Sequence, residues 1–265
     1  MVSSLERFDK ELERIIADKN SGSSEILFSL NGLFKKHFGR INNINPLINR
    51  LQKEFKSFQN IQSYLKDVKT LIRKGALTKQ FFENYSSAHS NVYRKIFKSA
   101  LPFLKRKKKI LTLSNSKTIF EVLRMLHKSN SQLAVIVCES RPKFEGRILA
   151  KKLAEDNINT TIITEAMIAK FIPKCDCVIT GADTVLKNKS IVNKVGSLQT
   201  AILCRYFNRP FYVLADKSKF TNTAKLSQHF QDEKEIWARI PAGIRMENLY
   251  FEIVPKELIT KIFTS

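Results

Sequence analysis

From about residue 110 onward, short apolar runs alternate with longer amphipathic stretches, and this alternation limits what the chain can fold into more than any other feature. The runs are 110–113, 133–138, 161–163, 177–180 and 210–215. Runs this short, separated by helix-length segments, read as strands joined by βαβ crossovers. A parallel sheet follows, with both faces covered, because each crossover helix must pack on one side of it. A further strand is expected at about 250–254, with a short C-terminal helix after Pro255.

Residues 1–105 read differently. Leu5, Phe8, Leu12, Ile15 and Ile16 recur at helical spacing, as do Ile26, Leu27, Leu30, Leu33 and Phe34. Helices are also expected after Pro46 and after Gly75, the latter through Phe81, Phe82, Tyr85 and His89, with Pro102 closing the region. The expected fold class is therefore α/β: a Rossmann-like parallel sheet with helices on both faces over 106–265, preceded by an all-helical N-terminal domain over 1–105. Between the first two helices lies Asn20-Ser21-Gly22-Ser23-Ser24-Glu25. Its serines can cap the second helix while Gly22 admits a close approach. A helix start of this kind is also a seat for an anion, which makes Gly22, Ser23 and Ser24 candidate ligand contacts; ordinary capping explains them as well.

At 265 residues and 43% hydrophobic content the chain is globular in composition. No apolar run approaches the roughly 20 residues of a membrane span. The first residues lack the apolar core of a signal peptide, so a cytoplasmic location without a membrane partner is expected. Cys138, Cys175, Cys177 and Cys204 have neither disulfide-framework nor zinc-site spacing. They are expected to be buried as small apolar residues, and neither a metal nor a cofactor is expected. The formal charge of +22 attracts polyanions. Its only dense run, 105–109, reads as a solvated loop, and without an RNA-binding signature of interleaved aromatics beside it, nucleic acid is not the expected partner.

Polar residues gather where strands should end. They are Thr112-Leu113-Ser114-Asn115-Ser116-Lys117, then Glu139-Ser140-Arg141-Pro142 with Glu145-Gly146-Arg147, then Gly181-Ala182-Asp183, and finally Ala215-Asp216-Lys217-Ser218-Lys219. Asn193-Lys194-Val195-Gly196-Ser197 reads as a turn opening a helix. Here Asn193 can bond sugar hydroxyls, Lys194 adds a point charge, and Gly196 with Ser197 offers N–H groups to phosphate. Arg141 offers a planar fork to the same group. Each has a plainer role: turn formation for Gly196, capping for Ser197 and Asp183, a surface ion pair for Arg141, and pairing with Arg147 for Glu139.

Together with Pro210-Phe211-Tyr212-Val213 and Tyr250-Phe251-Glu252-Ile253-Val254-Pro255, these motifs resemble, in order and separation, one family. It comprises the regulatory (alpha, beta, delta) subunits of translation initiation factor 2B with methylthioribose-1-phosphate isomerase and ribose-1,5-bisphosphate isomerase. The resemblance is specific from about residue 108 onward. It implies that the isomerases open a sugar phosphorylated on its anomeric oxygen and convert aldose to ketose, using a cysteine after the first sheet strand and the aspartate of Gly-Ala-Asp. Asp183 keeps the aspartate. Where the family pattern reads Thr-His-Cys-Asn-Ala-Gly, this chain places Leu113 at the histidine, Ser114 at the cysteine and Lys117 at the glycine. A thiol is tuned toward neutrality far more readily than an aliphatic hydroxyl, which needs a base to ionise. Two functions stay open. One is a non-catalytic module, similar to an alpha-type regulatory subunit, that binds a phosphorylated sugar or nucleotide-derived small molecule and forms homo-oligomers or assemblies with related subunits. The other is an isomerase of a ribose 1-phosphate derivative in which Asp183 acts and Ser114 or a water replaces the thiol.

Overall fold

Apolar residues at three- and four-residue spacing build α1 (Ser4–Ala17) and α2 (Ser23–Lys36), followed by α3 (Asn45–Glu54), α4 (Gln59–Arg73) and α5 (Lys79–Leu104). The computed structural model describes residues 4–18, 21–39, 44–223 and 230–265. Asn20, which begins the expected turn, lies outside them. Phe8, Leu12, Leu27, Leu30, Phe34, Leu65 and Phe82 form the core of these helices. At its centre Asn31 is fully buried, donating to the Phe82 carbonyl and the Ser86 hydroxyl (2.9 Å each) and accepting from the Tyr64 hydroxyl at 2.9 Å. A buried amide satisfied this completely favours one arrangement of α2, α4 and α5, since any slip leaves polar atoms dry and unpaired.

The N-cap of α2 is Gly22, so the expected serine cap does not form. Ser23 and Ser24 are buried first-turn residues. The Glu25 carboxylate accepts the Gly22 N–H at 3.3 Å, and the Gly22 carbonyl accepts from Glu25 (2.9 Å) and Ile26 (3.1 Å).

The chain divides into two compact units, Met1–Val92 and Tyr93–Ser265, so the break falls inside α5 rather than at 105. The reason lies in the helix itself. Beyond the break Tyr93, Ile96, Ala100 and Leu104 are buried, and Ser99 Oγ donates to the Thr264 carbonyl at 3.4 Å. Pro102 sits within the last turn of α5.

The second unit holds a parallel sheet of β1 (Lys109–Leu113), β2 (Ala134–Cys138), β3 (Asn159–Ile163), β4 (Cys177–Thr180), β7 (Phe211–Leu214) and β9 (Lys261–Phe263), in the order β3-β2-β1-β4-β7-β9. Helices α6 (Lys117–Ser129) and α7 (Glu145–Glu155) connect the first three strands, while α8 (Ile168–Phe171) and α9 (Ser197–Tyr206) follow. Right-handed crossovers put α6 with α7 on one face. The reversal of strand order after β3 puts α8 with α9 on the other.

Of the two C-terminal expectations, the strand forms and the helix does not. The strand at 250–254 is β8 (Phe251–Val254), which belongs to a separate antiparallel sheet with β5 (Thr184–Val185) and β6 (Ile191–Lys194). After Pro255 there is a single 3₁₀ turn and then β9, not a helix. Three residues are too few to show a period, and what makes 261–263 a strand is its pairing with 212–214 of β7.

Gly146 joins α7 to the end of β2. Its N–H donates to the Glu139 carbonyl at 3.1 Å, and a Cβ there would stand 1.8 Å from the Cys138 carbonyl oxygen. Gly146→Ala is therefore expected to push α7 off the strand end and lower the unfolding free energy by about 2–3 kcal/mol, measured by urea denaturation. Alanine at the exposed Lys151 of the same helix should leave it within about 0.5 kcal/mol.

Candidate functional site

Because β1, β2, β3, β4 and β7 are parallel, their carboxyl ends share one edge of the sheet. Ligands of open α/β sheets bind along that edge where the strand order reverses. Here the reversal lies between β1 and β4. Ser114 follows β1 and Asp183 lies just beyond β4, so the two flank the reversal on neighbouring strands.

Ser140, after β2, organises this edge. Its Oγ accepts the Ser114 N–H at 2.7 Å and donates to the Cys138 carbonyl at 3.1 Å, while its N–H donates to Glu165 Oε1 at 2.7 Å. Glu165, just beyond β3, thus links a third strand end. Ser114 and Ser140 both hold φ of 64°, a left-handed geometry that non-glycine residues keep only under local restraint. Gly181 brings the β4 loop against the start of α6, where a Cβ would lie 2.7 Å from Ser116 Oγ.

Asn193 and Lys194 end β6 instead of forming a turn, and both are buried. Asn193 Nδ2 donates to Thr180 Oγ1 and to Ser197 Oγ, each at 2.8 Å, and Ser197 Oγ donates to the Lys194 carbonyl at 2.6 Å. Lys194 Nζ pairs with Glu145 Oε1 of α7 at 2.8 Å and lies 4.5 Å from the centroid of Tyr250. The side chains of this pair are only 4% and 12% exposed.

The start of α9 is already occupied. Gly196, at φ 97°, is its N-cap, and the Glu252 carboxylate of β8 accepts the Leu198 N–H at 2.9 Å along with the N–H groups of Gly196 and Ser197. Burial nevertheless raises the Glu252 pKa, against the opposing pull of those N–H groups. The donors that the sequence offered to a phosphate thus serve an internal carboxylate.

Arg141 is exposed, with its guanidinium 4.7 Å from the Phe144 centroid and Nη2 donating to the Ile236 carbonyl at 3.3 Å. Glu139 pairs with Arg147 at 2.7 Å. The Asp183 N–H donates to the Val192 carbonyl at 2.9 Å. Beyond β7, Lys219 is buried, and burial lowers its pKa although the charges of Asp183 and Asp216 oppose the shift. All four cysteines are buried and free. Burial pushes Cys175 up to about 11, Cys177 and Cys204 up to about 12, and Cys138 further still.

Ser114, Asp183, Asn193 and Arg141 therefore all lie at or just beyond the switch-point edge, joined by Glu165, Lys219 and Glu252. Of these last three, Lys219 and Glu252 fall within motifs of the sequence but carry no assigned role there, and Glu165 falls in none, because each acts through partners distant along the chain. Gly22, Ser23 and Ser24 belong to the helical unit.

Strand order and polar edge together define a Rossmann-like α/β protein with its polar cluster at the switch point. The chain belongs to the initiation factor 2 subunit family, whose family model matches residues 10–265. It is 30% identical over 161 residues to a ribose 1,5-bisphosphate isomerase of Archaeoglobus fulgidus, covering 58% of this chain and 51% of that protein. It is 36% identical over 155 residues to a putative translation initiation factor eIF-2B subunit 2-like protein of Pyrococcus furiosus, covering 58% and 55%. The chain thus spans about half the length of these curated relatives. A crystal structure of a Pyrococcus horikoshii translation initiation factor eIF-2B shares the fold with a TM-score of 0.84 at 24% identity, covering 98% of this chain and 95% of that one. A tetrameric eIF2B-beta2-delta2 complex of C. thermophilum shares it at 0.76 and 14% identity, covering 97% and 90%.

Two measurements bear on this geometry. Glu145→Gln and Lys194→Met should each destabilise by about 3–5 kcal/mol, because each strands a buried charge, whereas the double variant should cost clearly less than either; urea denaturation of the cycle reads this. Lys219 binds its proton less tightly folded than unfolded, so the unfolded state holds more protons as pH approaches 10.5. Stability should accordingly gain a rising component in that window, and Lys219→Met should remove it in melts taken across pH 7–10.5.

Proposed function

We propose that this protein is a non-catalytic sugar-phosphate-binding and assembly module, similar to an alpha-type regulatory subunit of translation initiation factor 2B. The observation that carries this reading is the lack of an available thiolate. Ser114 stands where the resemblance places the reactive cysteine, and burial raises the pKa of every thiol in the chain. A hydroxyl beside Leu113 rather than a histidine is a hydrogen-bond donor to a ligand oxygen, not a nucleophile or acid at neutral pH. The ligand's phosphate lies toward Arg141, whose guanidinium is exposed and stands 4.7 Å from the Phe144 centroid, and its hydroxyls face Ser114 and Asp183. Lys194, Gly196 and Ser197 support the site from behind, since their polar groups are engaged within the protein. Assembly runs through the outer face of α9, where Ile202 and Tyr206 are 51% and 76% exposed one turn apart.

One observation favours the isomerase reading instead. Asp183 sits beside Lys219, a buried amine with a lowered pKa, and such a pair is suited to moving protons.

The deciding experiment incubates the purified chain with ribose-1,5-bisphosphate and with methylthioribose-1-phosphate. Ketose formation is followed by NMR and binding by calorimetry. Binding without turnover is expected, with Arg141→Ala weakening it by about 1.5–3 kcal/mol. Turnover that Asp183→Asn abolishes would establish the isomerase.

A further inference from the structure

Between Glu83 and Glu121 the chain has no acidic residue, yet it carries Arg94, Lys95, Lys98, the whole run 105–109 and Lys117. Arg94, Lys95 and Lys98 are exposed on the second half of α5, and Lys105, Arg106, Lys108 and Lys109 are exposed just beyond it. Among the described residues, the side chains of Arg94, Lys95, Lys98 and the run 105–109 take part in no salt bridge. Asp176 bonds the run only through its backbone, its Oδ2 accepting the N–H groups of Lys108 (2.7 Å) and Lys109 (2.8 Å). Like charges packed this densely repel one another, and a bound polyanion relieves the repulsion.

Charge alone would suit many partners, but the surface also carries an aromatic group. Phe103, 39% exposed, lies at the end of α5 between the two basic stretches. Its ring is backed by Phe263 at 5.1 Å and Tyr212 at 6.1 Å, and Lys261 Nζ stands 4.3 Å from its centroid. Lys261 in turn borders a cavity of about 330 Å³ lined by Phe220, Ile259 and Ile262, with Lys189 and Lys256 also on its wall. Lys189 Nζ is 5.1 Å from the Phe220 centroid. Thr264 lines the same cavity, and its Oγ1 is buried without a hydrogen-bond partner.

We propose that this surface binds single-stranded nucleic acid, with phosphates along the basic run and Lys261, one base stacked on Phe103, and a neighbouring base in the cavity against Phe220 with its polar edge toward Thr264. Basic residues tracking a backbone, with aromatic rings for bases, are the features that hold unpaired strands. An acidic protein segment would use the lysines and leave the ring and the cavity idle. A duplex would present no free base to either.

The test is fluorescence anisotropy of the full chain with a labelled single-stranded RNA of about 20 nucleotides, long enough to span several stacking sites, and with DNA of the same sequence. Binding that weakens steeply with salt is expected. The triple variant Lys105→Glu/Lys107→Glu/Lys108→Glu should lose at least about tenfold in affinity and show a shallower salt slope. Phe103→Leu, which keeps an apolar contact to Phe263 and Tyr212, should lose about fivefold or more with the salt slope unchanged, as should Thr264→Val together with Phe220→Leu. Asp183→Asn, at the sheet edge, should bind RNA as the unaltered chain does, which separates this surface from the sugar-phosphate reading. Failure to bind at low salt overturns the proposal, as does a Phe103→Leu chain that binds like the unaltered one. Equal affinity for a duplex or for polyglutamate of matched charge would also overturn it and point to a general polyanion or acidic-protein surface.

Discussion

A single hydroxyl, that of Ser140, holds the carboxyl edge of the sheet together. It takes the Ser114 N–H, gives its own proton to the Cys138 carbonyl, and sits on a backbone whose N–H is fixed by Glu165. Three strand ends thereby share one small node. Parallel strands do not by themselves fix the conformation of the residues that leave them, and a polar cluster on unsupported loops would average over many geometries. The left-handed backbone at both Ser114 and Ser140 is sustained by these bonds together with the close contacts of Gly146 and Gly181.

Much of the fold was legible because it rests on period and length. The five apolar runs became strands of the main sheet, and their spacing by helices required parallel pairing. What escaped the sequence depends on distant partners. Asn193 and Lys194 look like turn residues because strands seldom bury an amide and an ammonium; Thr180, Ser197 and Glu145 make that burial tolerable, and of these only Ser197 is close in sequence. The start of α9 looked open to phosphate because only the folded chain brings Glu252 to it. Lys219 was one lysine among many until burial set it apart. β9 was too short to announce itself, and the aromatic neighbour of the basic run, Phe103, acquired meaning only through its exposure and its contact with Lys261.

The site therefore differs in kind from a bare phosphate cradle. Its most strongly polar groups, Lys194 with Glu145 and the α9 N–H groups with Glu252, neutralise one another inside the protein. What remains at the edge is modest: a half-buried serine, a half-buried aspartate near a buried lysine, and an exposed arginine next to Phe144. The uncompensated charge of the chain is concentrated elsewhere, on the second half of α5 and the run that follows.

All four thiols lie in the sheet unit, sealed from solvent, and the first 137 residues contain none. A thiol-specific alkylating reagent added to the native protein thus meets no accessible thiol, and its reaction rate becomes a clock for how often the sheet unit opens. Because the helical unit contributes nothing to that signal, the chain carries its own reporter for one half of its structure, and comparing it with far-ultraviolet circular dichroism, to which the helices of both units contribute, would tell whether the two halves come apart together.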